Sequence, residues 1–225
     1  MSSSQDPDEV AKKLAKLKEL KKAYRDCVEC PMHATRKQIV FADGEPDSLI
    51  LIVGQAPTEQ EEIAGTPFLG KSGIMLDDLL RRAGSSRSEV HIINSVLCLP
   101  PDNRAPSNTE LGKCRPRLMA HIRILDPDVI IVLGKIALKA VSGRNNASIT
   151  SERGKMFELI VPGLKLPLVY PVMPTYDPNY LLRDPDQSPG GLVYQTVSDL
   201  KNALSVADKL NKHWRGVKTP KRVGR

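Results

Sequence analysis

Three short apolar runs constrain this chain more than anything else in it: SLILIVG (48–54), HIINSVLC (91–98) and PDVIIVLG (127–134). None alternates polar with apolar residues, so as strands they must be covered on both faces, as in a parallel sheet between helices. Helical periods alternate with them. GIMLDDLLRRAG (73–84) ends on a glycine stop, TELGKCRPRLMAHIRIL (109–125) opens with Thr109 in cap position and continues past Pro116, and KIALKAVSG (135–143) follows the third run. Residues 149–175 predict hairpin strands leading into a last core strand, and VYQTVSDLKNALSVADKL (193–210) a closing amphipathic helix. The expected fold is a three-layer α/β/α sandwich with a central, mostly parallel four-stranded sheet. Ligands of such sheets sit at the carboxyl ends of the strands, so the loops after 53, 97 and 175 should converge.

The ends of the chain read differently. Residues 8–25 (DEVAKKLAKLKELKKAYR) predict an amphipathic helix with Val10, Leu14, Leu17 and Leu20 at helical spacing and a lysine-rich solvated face. The stretch from Trp214 to Arg225 has no apolar period and predicts a flexible basic tail. The division expected is a helical segment (1–26), one domain (27–212) and the tail (213–225). A net charge of +7 suits a polyanionic partner without requiring one. No run approaches the ~20 apolar residues of a membrane span, and the polar N-terminus lacks the apolar stretch of a signal peptide. A cytoplasmic setting is therefore expected, where four cysteines are not structural disulfides.

Those cysteines are Cys27 and Cys30, spaced C-x2-C, with Cys98 at the end of a strand and Cys114 in the next helix. Both later positions can reach the N-terminal loop. Four thiolates so gathered hold either tetrahedral zinc or an iron–sulfur cluster, and the spacing does not separate the two.

A resemblance sharpens this picture. The segment GQAPTEQEEIAGTPFLGKSGIMLDDLL (54–80) is similar to the first motif of family 4 uracil-DNA glycosylases. NSVLCLPPDNRAPSNTELGKC (94–114) resembles that family's N-x-V-x-C-x-PP-x-NR-x-P block, and PDVIIVLGKIAL, Arg153–Gly154 and PTYDPNYLLR (174–183) match its remaining landmarks in order. The resemblance spans roughly residues 27 to 205. It implies a 4Fe-4S cluster on Cys27, Cys30, Cys98 and Cys114, stapling the N-terminal segment to the core, with zinc as the alternative. It also implies a base pocket lined by Gly54, Gln55, Ala56, Phe68, Asn94 and Asp177.

Excision of a base requires a flipped nucleotide, a stacking surface, a reader of the base edge and stabilisation of separating charge. Phe68 matches the stacking ring, and Asn94 the amide whose donor and acceptor meet the uracil edge. Two positions depart from the family. Gln55 stands where a glutamate is usual and cannot accept a proton at neutral pH. Asp177 stands where TYHP would supply a histidine; it is either a protonated donor or a relocated base. Glu59, Glu61 and Glu62 follow the turn and are alternative bases, read first as a solvated helix start. Lys71, Ser72, Arg104 and Arg183 are expected phosphate contacts, and Tyr180, Leu181 and Leu182 candidate wedge residues. The GKS string is not read as a nucleotide-binding loop. The expected activity is excision of uracil or a related deaminated base from single-stranded or duplex DNA by a monomer. Two alternatives stand beside it: a glycosylase-fold DNA-binding module without catalysis, and a zinc-stabilised nucleotide-binding protein.

Overall fold

A computed structural model of the chain describes residues 6–163 and 166–215. Its sheet has six strands in the order β1-β3-β2-β4-β6-β5, where β1 is Ala42–Asp43, β2 Ile50–Gly54, β3 Val90–Asn94, β4 Val129–Leu133, β5 Phe157–Val161 and β6 Leu168–Thr175. The four central strands are parallel, as expected. The expected count of four is corrected by an antiparallel strand at each edge. β1 has only two residues and no apolar run to announce it. β2, β3 and β4 are buried along their whole length, which is why their sequences do not alternate.

The helices are α1 (Pro7–Tyr24), α2 (Glu59–Ala64), α3 (Gly70–Ala83), α4 (Asn108–Leu125), α5 (Gly134–Ser142), α6 (Ile149–Glu152), α7 (Pro178–Leu181) and α8 (Leu192–Arg215). Two buried apolar clusters lie on the two sides of the sheet. One joins Leu51, Ile93, Ile130 and Val132 to Leu118 and Ile122 of α4 and Leu138 of α5. The other joins Ile52, Ile92 and Ile131 to Leu76 and Leu80 of α3 and Val193 and Leu200 of α8.

Local details depart from expectation in instructive ways. α4 starts one residue before Thr109, because Ser107 is the cap: its Oγ accepts from Glu110 N (3.2 Å) while Glu110 returns Oε2 to Ser107 N (2.7 Å). β3 ends at Asn94, so Ser95–Cys98 leaves the sheet instead of continuing it. α1 packs on α4, and its lysines are solvated except Lys13, whose Nζ donates to Leu125 O at the α4 carboxyl end (2.8 Å). The closing helix runs to Arg215, so Trp214 belongs to it; tail residues 216–225 lie outside those described. Among the described residues no helix is long and apolar enough to cross a membrane.

Two cavities of similar size lie on the molecule. One, about 560 Å³, involves the amino end of β2 (Leu49, Ile50), the end of α3 and the middle of α8 (Leu204, Ala207), with Glu45, Asp47, Glu89 and Asp208 around it. The other, about 540 Å³, lies at the carboxyl ends of β2, β3 and β6.

Candidate active site

The order β3-β2-β4 places β2 where the chain switches direction across the sheet, so the loops after β2 and β3 part there and leave a crevice. Gln55, Ala56, Phe68, Ser72, Asn94, Arg104, Asp177, Tyr180 and Arg183 all line it, joined by Thr58, Glu61 and Leu182. Of the residues singled out for a base pocket or for DNA, Gly54, Lys71 and Leu181 do not line it. Lys71 is exposed nearby, and Leu181 is fully buried, packed in the core beside Leu76 and Val193 rather than free to act as a wedge. Tyr180 (49% exposed) and Leu182 (39%) remain outside, and the Tyr180 ring lies 5.6 Å from that of Tyr176.

Gly54 acts by what it leaves out. A Cβ there would strike the Phe68 ring and lie 2.5 Å from Asn94 Oδ1, so the glycine lets ring and amide close over the end of β2. Asn94 is buried, and its Nδ2 has no hydrogen-bond partner among the described residues. An amide donor in that state calls for a ligand acceptor.

Phe68 is held with φ +55°, a left-handed conformation costly for an aromatic residue and sustained only by its surroundings. Arg87 donates Nη1 to Phe68 O (3.1 Å) and Nη2 to Pro67 O (2.7 Å), while its Nε meets Asp43 Oδ2 (3.0 Å). Glu61 accepts from Leu69 N (3.2 Å) and from Thr58 N (3.0 Å), and Gly73 presses its backbone against Phe68 O. Glu61 and Glu62 are thus buried struts, not the solvated helix start expected of them; only Glu59 is exposed. Burial pushes the Glu61 carboxyl up against the lowering pull of those backbone donors.

Residues Gly65–Ser72 spell the G-x4-GKS string literally. They follow α2, not a strand; the Ser72 side chain is buried and its hydroxyl donates to Leu69 O (3.4 Å). The segment builds the Phe68 wall, not a phosphate cradle.

Asp177 caps α7, accepting from Asn179 N through Oδ1 (2.8 Å), and lies beside Gly134, where a Cβ would come within 3.0 Å of its own. Its residue surface stays partly open to the cavity, yet the surrounding protein is dense enough that burial pushes its carboxyl up. Behind it, Thr175 Oγ1 donates to Asp199 Oδ2 (2.8 Å), and Arg153 pairs with Asp199 and lies over the Tyr176 ring. Arg104, expected to meet phosphate, already forks onto Glu110 (2.7 and 2.8 Å) and holds that carboxyl down at about 2.

On the other side of β3, Cys27, Cys30, Cys98 and Cys114 line one recess together with Tyr24, Arg36 and Lys113. All four are free. Burial, added to by neighbouring thiols, pushes Cys30 and Cys98 up, while Arg36 Nη1 donates to Cys98 Sγ (3.4 Å). Four thiols with cations beside them form a donor set that fits a thiolate-bound metal group.

Sequence reasoning missed Arg87 altogether, since a lone arginine after α3 carries no signal. Asp199 did leave one, a carboxylate amid Thr196, Val197 and Leu200 on the apolar face of α8.

Fold and cavity together define an α/β/α sandwich protein with a cavity at the topological switch point, lined by the Phe68 ring and the Asn94 amide. The chain belongs to the uracil-DNA glycosylase superfamily: the family profile described as "Uracil DNA glycosylase superfamily" matches residues 41–201. It is 37% identical over 180 residues to a type-4 uracil-DNA glycosylase of Thermotoga maritima, covering 80% of this chain and 90% of that protein. It is 38% identical over 172 residues to the protein of the same name from Pyrobaculum aerophilum, covering 75% and 86%. A third, from Sulfurisphaera tokodaii, is 34% identical over 174 residues, covering 72% and 77%.

Proposed function

We propose that this protein is a uracil-DNA glycosylase that flips uracil out of DNA and hydrolyses its N-glycosidic bond. The carrying observation is the buried Asn94 Nδ2, without a partner among the described residues, beside the Phe68 ring in a chain with relatives that bear that name. The Phe68 face stacks on the extruded base, for about 1–3 kcal/mol. Asn94 donates Nδ2 to a uracil carbonyl and accepts the ring N–H through Oδ1. Arg183 and Tyr180, which line the cavity, and the exposed Lys71 are the residues we assign to the DNA strand.

Cleavage leaves a cationic sugar and an anionic base. Gln55 orients water or substrate by hydrogen bonding but takes no proton. Glu61 is committed to the Leu69 and Thr58 amides. Asp177 lines the cavity with Arg183 close enough to favour its ionised form, and we assign it the base that activates water and offsets the sugar's positive charge. Its raised pKa brings it nearer neutrality, where a base works best.

Cys27, Cys30, Cys98 and Cys114 would hold a 4Fe-4S cluster, whose bonds join the segment after α1 to β3 and α4. Among the described residues no group of three or more His, Cys, Asp or Glu side chains is gathered as a metal site, and tetrahedral zinc on the same four thiols is the alternative. The protein is read as an intracellular monomer acting on uracil in single-stranded or duplex DNA.

Single-turnover excision on uracil-containing single strands and mismatched duplexes tests this. Wild type should release uracil, and Asp177→Asn should lower the rate by about 10²–10⁴. The wild-type rate should climb with pH along a limb above the ordinary carboxylate range, because the ionised form is the active one and burial delays ionisation; Asp177→Asn should flatten that limb. DNA binding without release by wild type, with activity gained in Asp177→His, would overturn the catalytic reading.

A further inference from the structure

Arg117 is fully buried, and few side chains are dearer to bury than a guanidinium. Its Nη2 donates to Asn94 O and to Ser95 O, 2.9 Å each, bracketing the turn that ends β3. Ser95 passes the constraint on, giving its N–H (2.9 Å) and its Oγ (2.7 Å) to Gly54 O. The arginine therefore ties together the backbone beneath the amide and the glycine over which ring and amide close.

Among the described residues its Nε and Nη1 have no nitrogen or oxygen hydrogen-bond partner. Burial works against its charge, and the groups that offset this are the Cys114 thiol, three residues earlier on the same face of α4 and in hydrogen-bond reach, then Tyr24 and Cys98. The next turn of α4 offers no anion: His121 meets His91 (Nε2 to Nε2, 3.0 Å), and burial keeps both rings neutral.

We propose that Arg117 is a positioning residue that joins the cysteine cage to the base pocket. Its fork fixes the Asn94–Ser95 turn, and the thiolates of the loaded cage supply its counter-charge. Cage occupancy and base binding are then linked, and linkage is reciprocal. The inference rests on the glycosylase reading for the meaning of the pocket, but the cage arm of its test does not.

The test uses the full chain with its metal group loaded, as wild type, Arg117→Lys and Arg117→Met. Two quantities are read: the lifetime of the metal–thiolate absorption under chelator, and the affinity for free uracil, with uracil-free duplex as a control. Arg117→Met should lose the metal group several-fold faster and bind uracil on the order of tenfold more weakly, with duplex affinity unchanged. Arg117→Lys should restore metal retention, because it keeps the charge, but not uracil affinity, because a point charge does not reproduce the planar fork. A Met variant equal to wild type in metal retention would overturn the proposal, as would a Lys variant no better than Met. A wild type that binds no uracil while the retention differences persist would sink the base-pocket reading and leave Arg117 tied to the cage alone. Should Arg117→Met fail to fold, the Lys variant alone decides: wild-type retention with weakened uracil binding supports the proposal, and equal loss of both overturns it.

Discussion

At the residue scale, the pocket is made by side chains that spend their hydrogen bonds on one another's backbones. Phe68 illustrates this best, since its unfavourable φ persists only because Arg87 and Glu61 grip the peptides on either side of it. Removing one grip should disturb the ring without emptying the pocket. Arg87→Met should lower kcat/KM for uracil release about tenfold, chiefly through the chemical step, with duplex affinity unchanged and roughly 1–2 kcal/mol lost from folding stability. Single-turnover kinetics beside urea denaturation would check it; a variant that lost stability but kept wild-type kinetics would show that the Phe68 loop holds itself. The sequence revealed Phe68 and Asn94 only through their neighbours in a motif, because a phenylalanine between Pro67 and Leu69 is otherwise ordinary core. Arg87 was illegible, since three of its bonds go to carbonyls and a carboxylate distant in the chain.

At the element scale, glycines decide how closely helices approach the site. Gly73 on α3 lies against the Phe68 carbonyl, whereas Gly112 on α4 faces open space. The two should respond oppositely to the same methyl group. Gly73→Ala should cost about 1–3 kcal/mol and impair excision, whereas Gly112→Ala should be neutral or stabilise by up to ~1 kcal/mol. Denaturant midpoints on the two variants decide the matter, and equal effects would refute the packing argument. Fold class was legible here for a plain reason: β2, β3 and β4 are buried on both faces, so their apolar runs are uninterrupted. The edge strands were harder. β5 shows the mixed burial of a half-exposed strand, and β1 is too short to carry any pattern. The acidic start of α2 misled for a related reason, since Glu61 and Glu62 look like surface charges until the folded chain brings Leu69 N and Lys37 N to them.

At the scale of the whole molecule, fold and chemistry draw on different residues. The sheet requires the buried runs, the cage requires four cysteines, and neither depends on Gln55 or Asp177. The chain's excess of basic residues over acidic ones, a net +7, acts across all of it. Association with DNA should accordingly slow steeply as salt rises from about 50 to 200 mM, while the rate of bond cleavage in the bound complex stays nearly constant. Stopped-flow binding beside single-turnover cleavage separates the two, and equal salt sensitivity of both would contradict this division.

The recess at the amino end of β2 gives that charge a direction. Glu45, Asp47, Glu89 and Asp208 gather there, at the opposite end of the strand from the pocket, on a molecule that is otherwise positive. Such a body behaves as a compass needle in the field of a polyanion. Torque would turn such an acidic pole away from a phosphate strand, so the end carrying Phe68 and Asn94 would be the one offered to it.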